Sequence, residues 1–176
     1  MTDFSPPPEI RSAMVHGLYA HWEEKRAGRL APRWRDIDPG AIRPLLPFIS
    51  IADVIETPFD LVYRLVGTGV VEASGRDFTR RRFSELKVTT GLDSWLAHYS
   101  RVVREARPFY GRYRGDIAPD LARYVDHGAF PLSETGERVD GIVEIEDWSE
   151  IRGLNPGHID LPIWRFEPLP APASAA

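Results

Sequence analysis

Apolar residues at Ile10, Ala13, Met14, Leu18 and Trp22 recur at helical spacing, which predicts a helix over residues 9–27. Charge gathers at its end in Glu23-Glu24-Lys25-Arg26, and Gly28 stands where a C-terminal cap belongs. The stripe shows that something covers it, and either the domain's own sheet or a second chain would do. Asp38-Pro39 then supplies a helix start, which Pro44 and Pro47 keep short. Two β-branched, partly alternating runs follow at 48–56 and 60–68, separated by a Thr-Pro-Phe-Asp turn. The mixed stretch 70–91 suggests short helices and turns. Over 92–106 the pattern is helical again, with Trp95, Tyr99, Val102, Val103 and Ala106 on one face and Pro108 at the end. Three further strands are predicted at 109–116, 121–132 and 138–148, the last two joined by a Ser-Glu-Thr-Gly-Glu hairpin loop.

This order of helix, two strands, helical middle and three strands predicts an α+β fold on an antiparallel sheet. The 176 residues fit one domain, and the 43% hydrophobic and 27% charged content is that of a soluble globular chain. A net charge of −4 gives nucleic acid or an anionic membrane no broad attraction, so neither is an expected partner. The chain has no cysteine, which removes disulfides, thiolate nucleophiles and Cys-ligated metals together. The start "MTDFSPPPEIRS" lacks a signal-peptide pattern, and no apolar run approaches the ~20 residues of a membrane helix. A cytoplasmic, soluble protein is expected. Proline-rich composition predicts disorder for 1–8 and for the Pro/Ala tail 167–176, with 9–47 helical, 48–150 the core and 151–166 irregular.

The stretch "YRLVGTGVVEASGRDFTRRR" (63–82) has the look of a nucleotide-binding loop: a strand running into Gly67-Thr68-Gly69. Three features argue against it. Glu72 takes the third glycine position, where pyrophosphate would need to approach. No buried strand with an acidic ribose ligand follows around Glu85. The later strands come as a hairpin series rather than as βαβ units. The glycines are instead expected to let the chain leave a strand sharply and cross to the helical layer.

The hairpin "PLSETGERVDGIVEIEDWSE" (131–150) resembles the end of a PAS domain, with Asp147-Trp148-Ser149-Glu150 where many members have Asp-Ile-Thr-Glu. The segments "LYAHWEEKRAGRLAPRWRDIDPGAIRPLLP" (18–47) and "YRLVGTGVVEASGRDFT" (63–79) are similar to a PAS-like family of short, mostly alphaproteobacterial proteins. Arg80-Arg81-Arg82 departs from that family at a turn where a glycine is expected. The resemblance implies a five-stranded antiparallel sheet, helices on one face, and an N-terminal amphipathic helix. It places strand 48–56 centrally, next to 138–148. It further implies a non-enzymatic sensory or regulatory module that signals through protein–protein contact to an unidentified partner. In signalling members the end of the last strand leads into an output helix. Here "IRGLNPGHIDLPIW" (151–164) is broken by Gly153, Pro156, Gly157 and Pro162, so output is expected through a partner or the N-terminal helix.

The resemblance also implies where a small apolar or aromatic ligand would lie, between the sheet and the helix at 92–106. Trp95 and Tyr99 would form one wall, and Tyr63, Leu65, Tyr113, Val143 and Ile145 the other; the same residues would equally serve as core filling. His98 lies about 80° from the centre of the helix's apolar face at ~100° per residue, flanking any cavity. It is the residue through which heme would bind, but one histidine at a stripe's edge reads as surface, and no cofactor is expected. Covalent flavin chemistry lacks its cysteine. The histidines at 16, 21, 98, 127 and 158 form no metal-ligand pair, and no catalytic constellation is visible. The alternating acids of "VEIED" (143–147) read as a solvated strand face. The helix at 9–27 is expected to hold a homodimer through Ile10, Met14, Leu18 and Trp22. A small enzyme on a cone-shaped α+β fold, using a pocket acid or histidine as base, is the alternative.

Overall fold

A computed structural model of the chain describes residues 3–86, 92–118, 121–149 and 164–169. Strands β1 (Ile49–Glu56) and β2 (Phe59–Val66) form a hairpin. The strands β3 (Phe109–Ala118), β4 (Leu121–Leu132) and β5 (Gly141–Glu146) follow the helical middle, and β6 (Trp164–Pro168) comes last. The sheet runs β2-β1-β5-β4-β3-β6, every pair antiparallel. The five expected strands are present, and β1 is flanked by β2 and β5. β5, rather than β1, takes the middle of those five.

β6 is an addition to the expected sheet. The segment was expected to be irregular to 166 and disordered beyond, yet Trp164 to Pro168 pairs with Gly115 to Gly111. Composition shows a proline-rich stretch but cannot show the open edge of β3, whose N–H and C=O groups offer a ladder.

Helices cover both faces. The helix α1 (Ala13–Arg26) lies on one, while a 3-10 turn at Phe83–Leu86 and α3 (Leu92–Glu105) lie on the other; α2 (Thr68–Ser74) packs on the 3-10 segment Arg43–Phe48. The start of α1 is tied down three ways. Ser12 Oγ accepts from Met14 N at 3.1 Å and Val15 N at 3.2 Å, capping the first turn. Asp126 Oδ2 accepts from Arg11 N at 2.6 Å and Ser12 N at 2.8 Å. Ser12 Oγ also donates to Asp147 Oδ2 at 2.5 Å, just beyond the end of β5.

The buried stripe of α1 is Val15, Leu18, His21 and Trp22. Trp22 packs on Phe130, and its Nε1 donates to Pro131 O at 2.7 Å. The assignment of Ile10, Met14, Leu18 and Trp22 to a dimer contact is therefore corrected. Ile10, Leu18 and Trp22 are core residues of their own chain, and Met14 packs at the core's edge. The stripe is covered by its own sheet. The N-terminus is corrected too: Pro6 and Pro7 are buried, Phe4 packs edge-on against Trp22, and Phe4 O accepts from Tyr110 Oη at 2.7 Å.

Gly67 and Gly69 act through close approach more than through turning. Gly67 has φ −65° and ψ 149°, a conformation open to any residue. A Cβ there would lie 2.4 Å from Pro47 O and 2.6 Å from Leu46 O. At Gly69 it would meet Phe48 and Pro47 O at 2.9 Å. The glycines let α2 sit directly on the 3-10 segment Arg43–Phe48. Among the described residues, no helix is long and apolar enough to cross a membrane.

Candidate functional site

Strand alternation decides which side chains meet α3. On β5, Ile142, Glu144 and Glu146 face it, and Val143 and Ile145 face the α1 side. On β4, His127 and Ala129 face α3, while Phe130 packs under Trp22. On β2 the register slips between Ile51–Leu65 and Ala52–Tyr63, so Arg64 is an extra, bulged residue. Tyr63 therefore faces α3 and Leu65 does not.

Under α3 the rings form a continuous cluster. Trp95 contacts Tyr99, Tyr113, His98 and His127 at centroid distances of 5.5, 5.1, 5.8 and 5.3 Å. Phe83 abuts Trp95 and Tyr99, and Phe109 abuts His98. Tyr113 continues the row to Trp148 at 5.6 Å.

Two carboxylates lie among these rings. Glu144 accepts from Tyr99 Oη at 2.5 Å, and His127 Nε2 lies 3.5 Å from the same oxygen. Tyr63 joins this group through Tyr99 and Glu144. Glu146 accepts from Tyr113 Oη at 2.5 Å and from Trp148 Nε1 at 2.9 Å. Burial raises the Glu146 carboxyl above its ordinary range, and the neighbouring Glu144 charge adds to this. Burial also raises the hydroxyls of Tyr63, Tyr99 and Tyr113, with the nearby carboxylates contributing. His98 is held well below its usual value, first by desolvation, then by His127 and Arg101.

Of the expected wall residues, the structure brings together Tyr63, Trp95, His98, Tyr99 and Tyr113. It does not bring Leu65, Val143 and Ile145 to them. Leu65 is displaced by the bulge, and Val143 and Ile145 lie in the opposite phase of β5. His98 corrects its own assignment as well: it is 5% exposed and sits among Trp95, Tyr99, Phe109 and His127 rather than flanking the cluster. The acids of "VEIED" are not a solvated face, since Glu144 is 5% exposed.

Sequence reasoning missed Glu144, Glu146, His127, Trp148 and Phe109. One signal could have found the acids. A strand between two others, in a chain with two amphipathic helices to cover the two faces of its sheet, has no face left for water. Among the described residues, no group of three or more metal-ligating side chains could hold a metal.

The arrangement sets two carboxylate acceptors, Glu144 and Glu146, among packed rings, and both stand on one strand. Glu144 and Glu146 project under α3, and Asp147 holds the cap of α1 beyond them. A sequence profile for the PAS domain matches residues 10–108, more than half of the 176 residues. No curated protein matches the chain.

Proposed function

The chain belongs to the PAS domain family, a family of generally non-enzymatic sensory and regulatory modules, and from that premise we propose how it senses and signals. A small apolar or aromatic ligand engages the cluster between the sheet and α3. The readout is the seating of α1. The observation that carries this reading is the run Glu144–Glu146–Asp147, which bonds in turn to Tyr99 of α3, to Tyr113 of β3 and to Ser12 at the start of α1. A ligand that displaces Tyr99 or Tyr113 leaves a buried carboxylate short of a donor, a costly state that shifts β5 or its neighbours.

With the apolar stripe of α1 buried, the partner surface is its outward side, including Ala13, His16, Ala20 and Glu24. A second copy or a signalling protein docks there. The enzyme reading draws on the His127–Glu144 pair, but the two sit 3.5 Å apart, longer than the ~2.6–3.2 Å of a proton-transferring pair. The module is the better reading.

Native mass spectrometry of the purified protein tests it. The expected result is a retained small molecule that is lost in a Trp95→Ala variant, together with a reported subunit number. A bare polypeptide mass in every preparation, with α1 exchange unchanged by any added aromatic compound, would contradict it.

A further inference from the structure

The α1 face of the sheet is only partly covered. α1 packs over β4 and β5, leaving the β1–β2 end to the turns of residues 34–48. There a groove of roughly 610 Å³ runs between those turns and the outer side of the hairpin. Its lining is apolar, with Trp34, Ile37, Leu46, Ile51 and Leu65 prominent, and among the described residues Arg43 is the only charged one that lines it. Leu46 and Leu65 are 36% and 40% exposed, among the most exposed large apolar residues described.

The sequence builds this groove through two devices. The bulge at Arg64 reverses the phase of β2, so Leu65 pairs with Ile51 on the outer side instead of following Tyr63 inward. Gly67 lets the chain press against the backbone of Leu46 and Pro47, fixing the far wall.

We propose that this groove is a second ligand site, separate from the cluster under α3, and that it takes a small amphiphilic anion with an aliphatic or aromatic body and a carboxylate. The volume lies within the ~300–1,000 Å³ typical of small-molecule sites. The floor supplies only apolar contact, which selects the body of the ligand. Arg43 supplies a complementary charge, no carboxylate among the described residues lines the groove to compete for it, and its planar fork suits a carboxylate. A protein partner would need about 800 Å² from each side, more than a groove of this size provides on its own.

Decanoate, kept below its micelle-forming concentration, and neutral 1-decanol are the probes. Calorimetry and methyl NMR on the full chain read the result. The expected outcome is saturable decanoate binding, with shifts at the Leu46, Ile51 and Leu65 methyls and none at Val102 on α3. Arg43→Gln should weaken decanoate about five- to tenfold and leave decanol unchanged. Leu65→Glu should remove binding of both; Leu65 is a surface residue, and far-UV circular dichroism confirms that the variant is folded. Three results would overturn the proposal: no binding at millimolar decanoate, equal decanoate affinity in Arg43→Gln, or shifts confined to the α3 side. It would equally fall if the parent were a dimer that Leu65→Glu made monomeric while decanoate bound neither form.

Discussion

At the residue scale, Gly67 makes the clearest demand. An alanine Cβ would meet two backbone oxygens at 2.4 and 2.6 Å, which no rotamer change relieves. Gly67→Ala should cost about 1–3 kcal/mol through overpacking, read as a lowered urea midpoint. Trp95 makes the opposite test. Trp95→Ala should cost about 3–5 kcal/mol, because the indole is buried against Tyr99, Tyr113 and His127. An unchanged melting temperature would contradict its packing. His98 adds a pH dependence. Its folded-state pKa lies well below the ordinary 6.5, so the unfolded chain takes up the proton first. Its contribution is full above 6.5 and is lost as pH falls from there toward the folded-state value. Glu146, raised from 4.5, works with the opposite sign: its contribution is present below 4.5 and is lost as pH rises. Among the described residues, Tyr99, His127 and Arg101 are titratable groups that face His98. Comparing His98→Leu with the parent across pH 5–7 isolates the histidine, and the variant should lose less stability on acidification.

At the element scale, β5 and β2 show why the elements were legible while their facing was not. The periodicity of residues 92–106 and 121–132 predicts α3 and β4 closely, since both patterns are set by local burial. Alternation on β5 shows that Val143 and Ile145 share a face and that Glu144 and Glu146 share the other. It cannot show which face is dry when both are covered. The acids are tolerated inside because Tyr99, Tyr113 and Trp148 donate to them, and two of those donors, Tyr99 and Tyr113, come from distant segments. On β2 a single bulged residue, Arg64, separates Tyr63 from Leu65, and nothing in its sequence announces it. The stripe of α1 was legible as covered, but whether by its own sheet or another chain was settled only by the anchors at its start. Ser12→Ala removes the cap and the bond to Asp147 together. It should cost about 0.5–2 kcal/mol and speed amide exchange in the first turn of α1. Exchange equal to the parent's would mean that Asp126 alone holds the helix.

At the scale of the whole molecule, one sheet lies between two layers. The aromatic and acidic cluster lies under α3, and α1 lies on the other side. β5 joins them, with Glu144 bonded to Tyr99 on one side and Asp147 to Ser12 on the other. The central claim is that a disturbance under α3 reaches α1 through this strand. Hydrogen exchange along α1, residues 13–26, in a Tyr99→Phe variant tests it most directly. The control is Val102→Ala, which also loosens α3 but touches neither acid. Tyr99→Phe deprives Glu144 of a donor without altering the ring, and should cost about 1–3 kcal/mol. Compared at equal global stability in the two variants, α1 is predicted to exchange faster in Tyr99→Phe than in Val102→Ala. Equal α1 exchange in both, with only α3 loosened, would contradict the coupling.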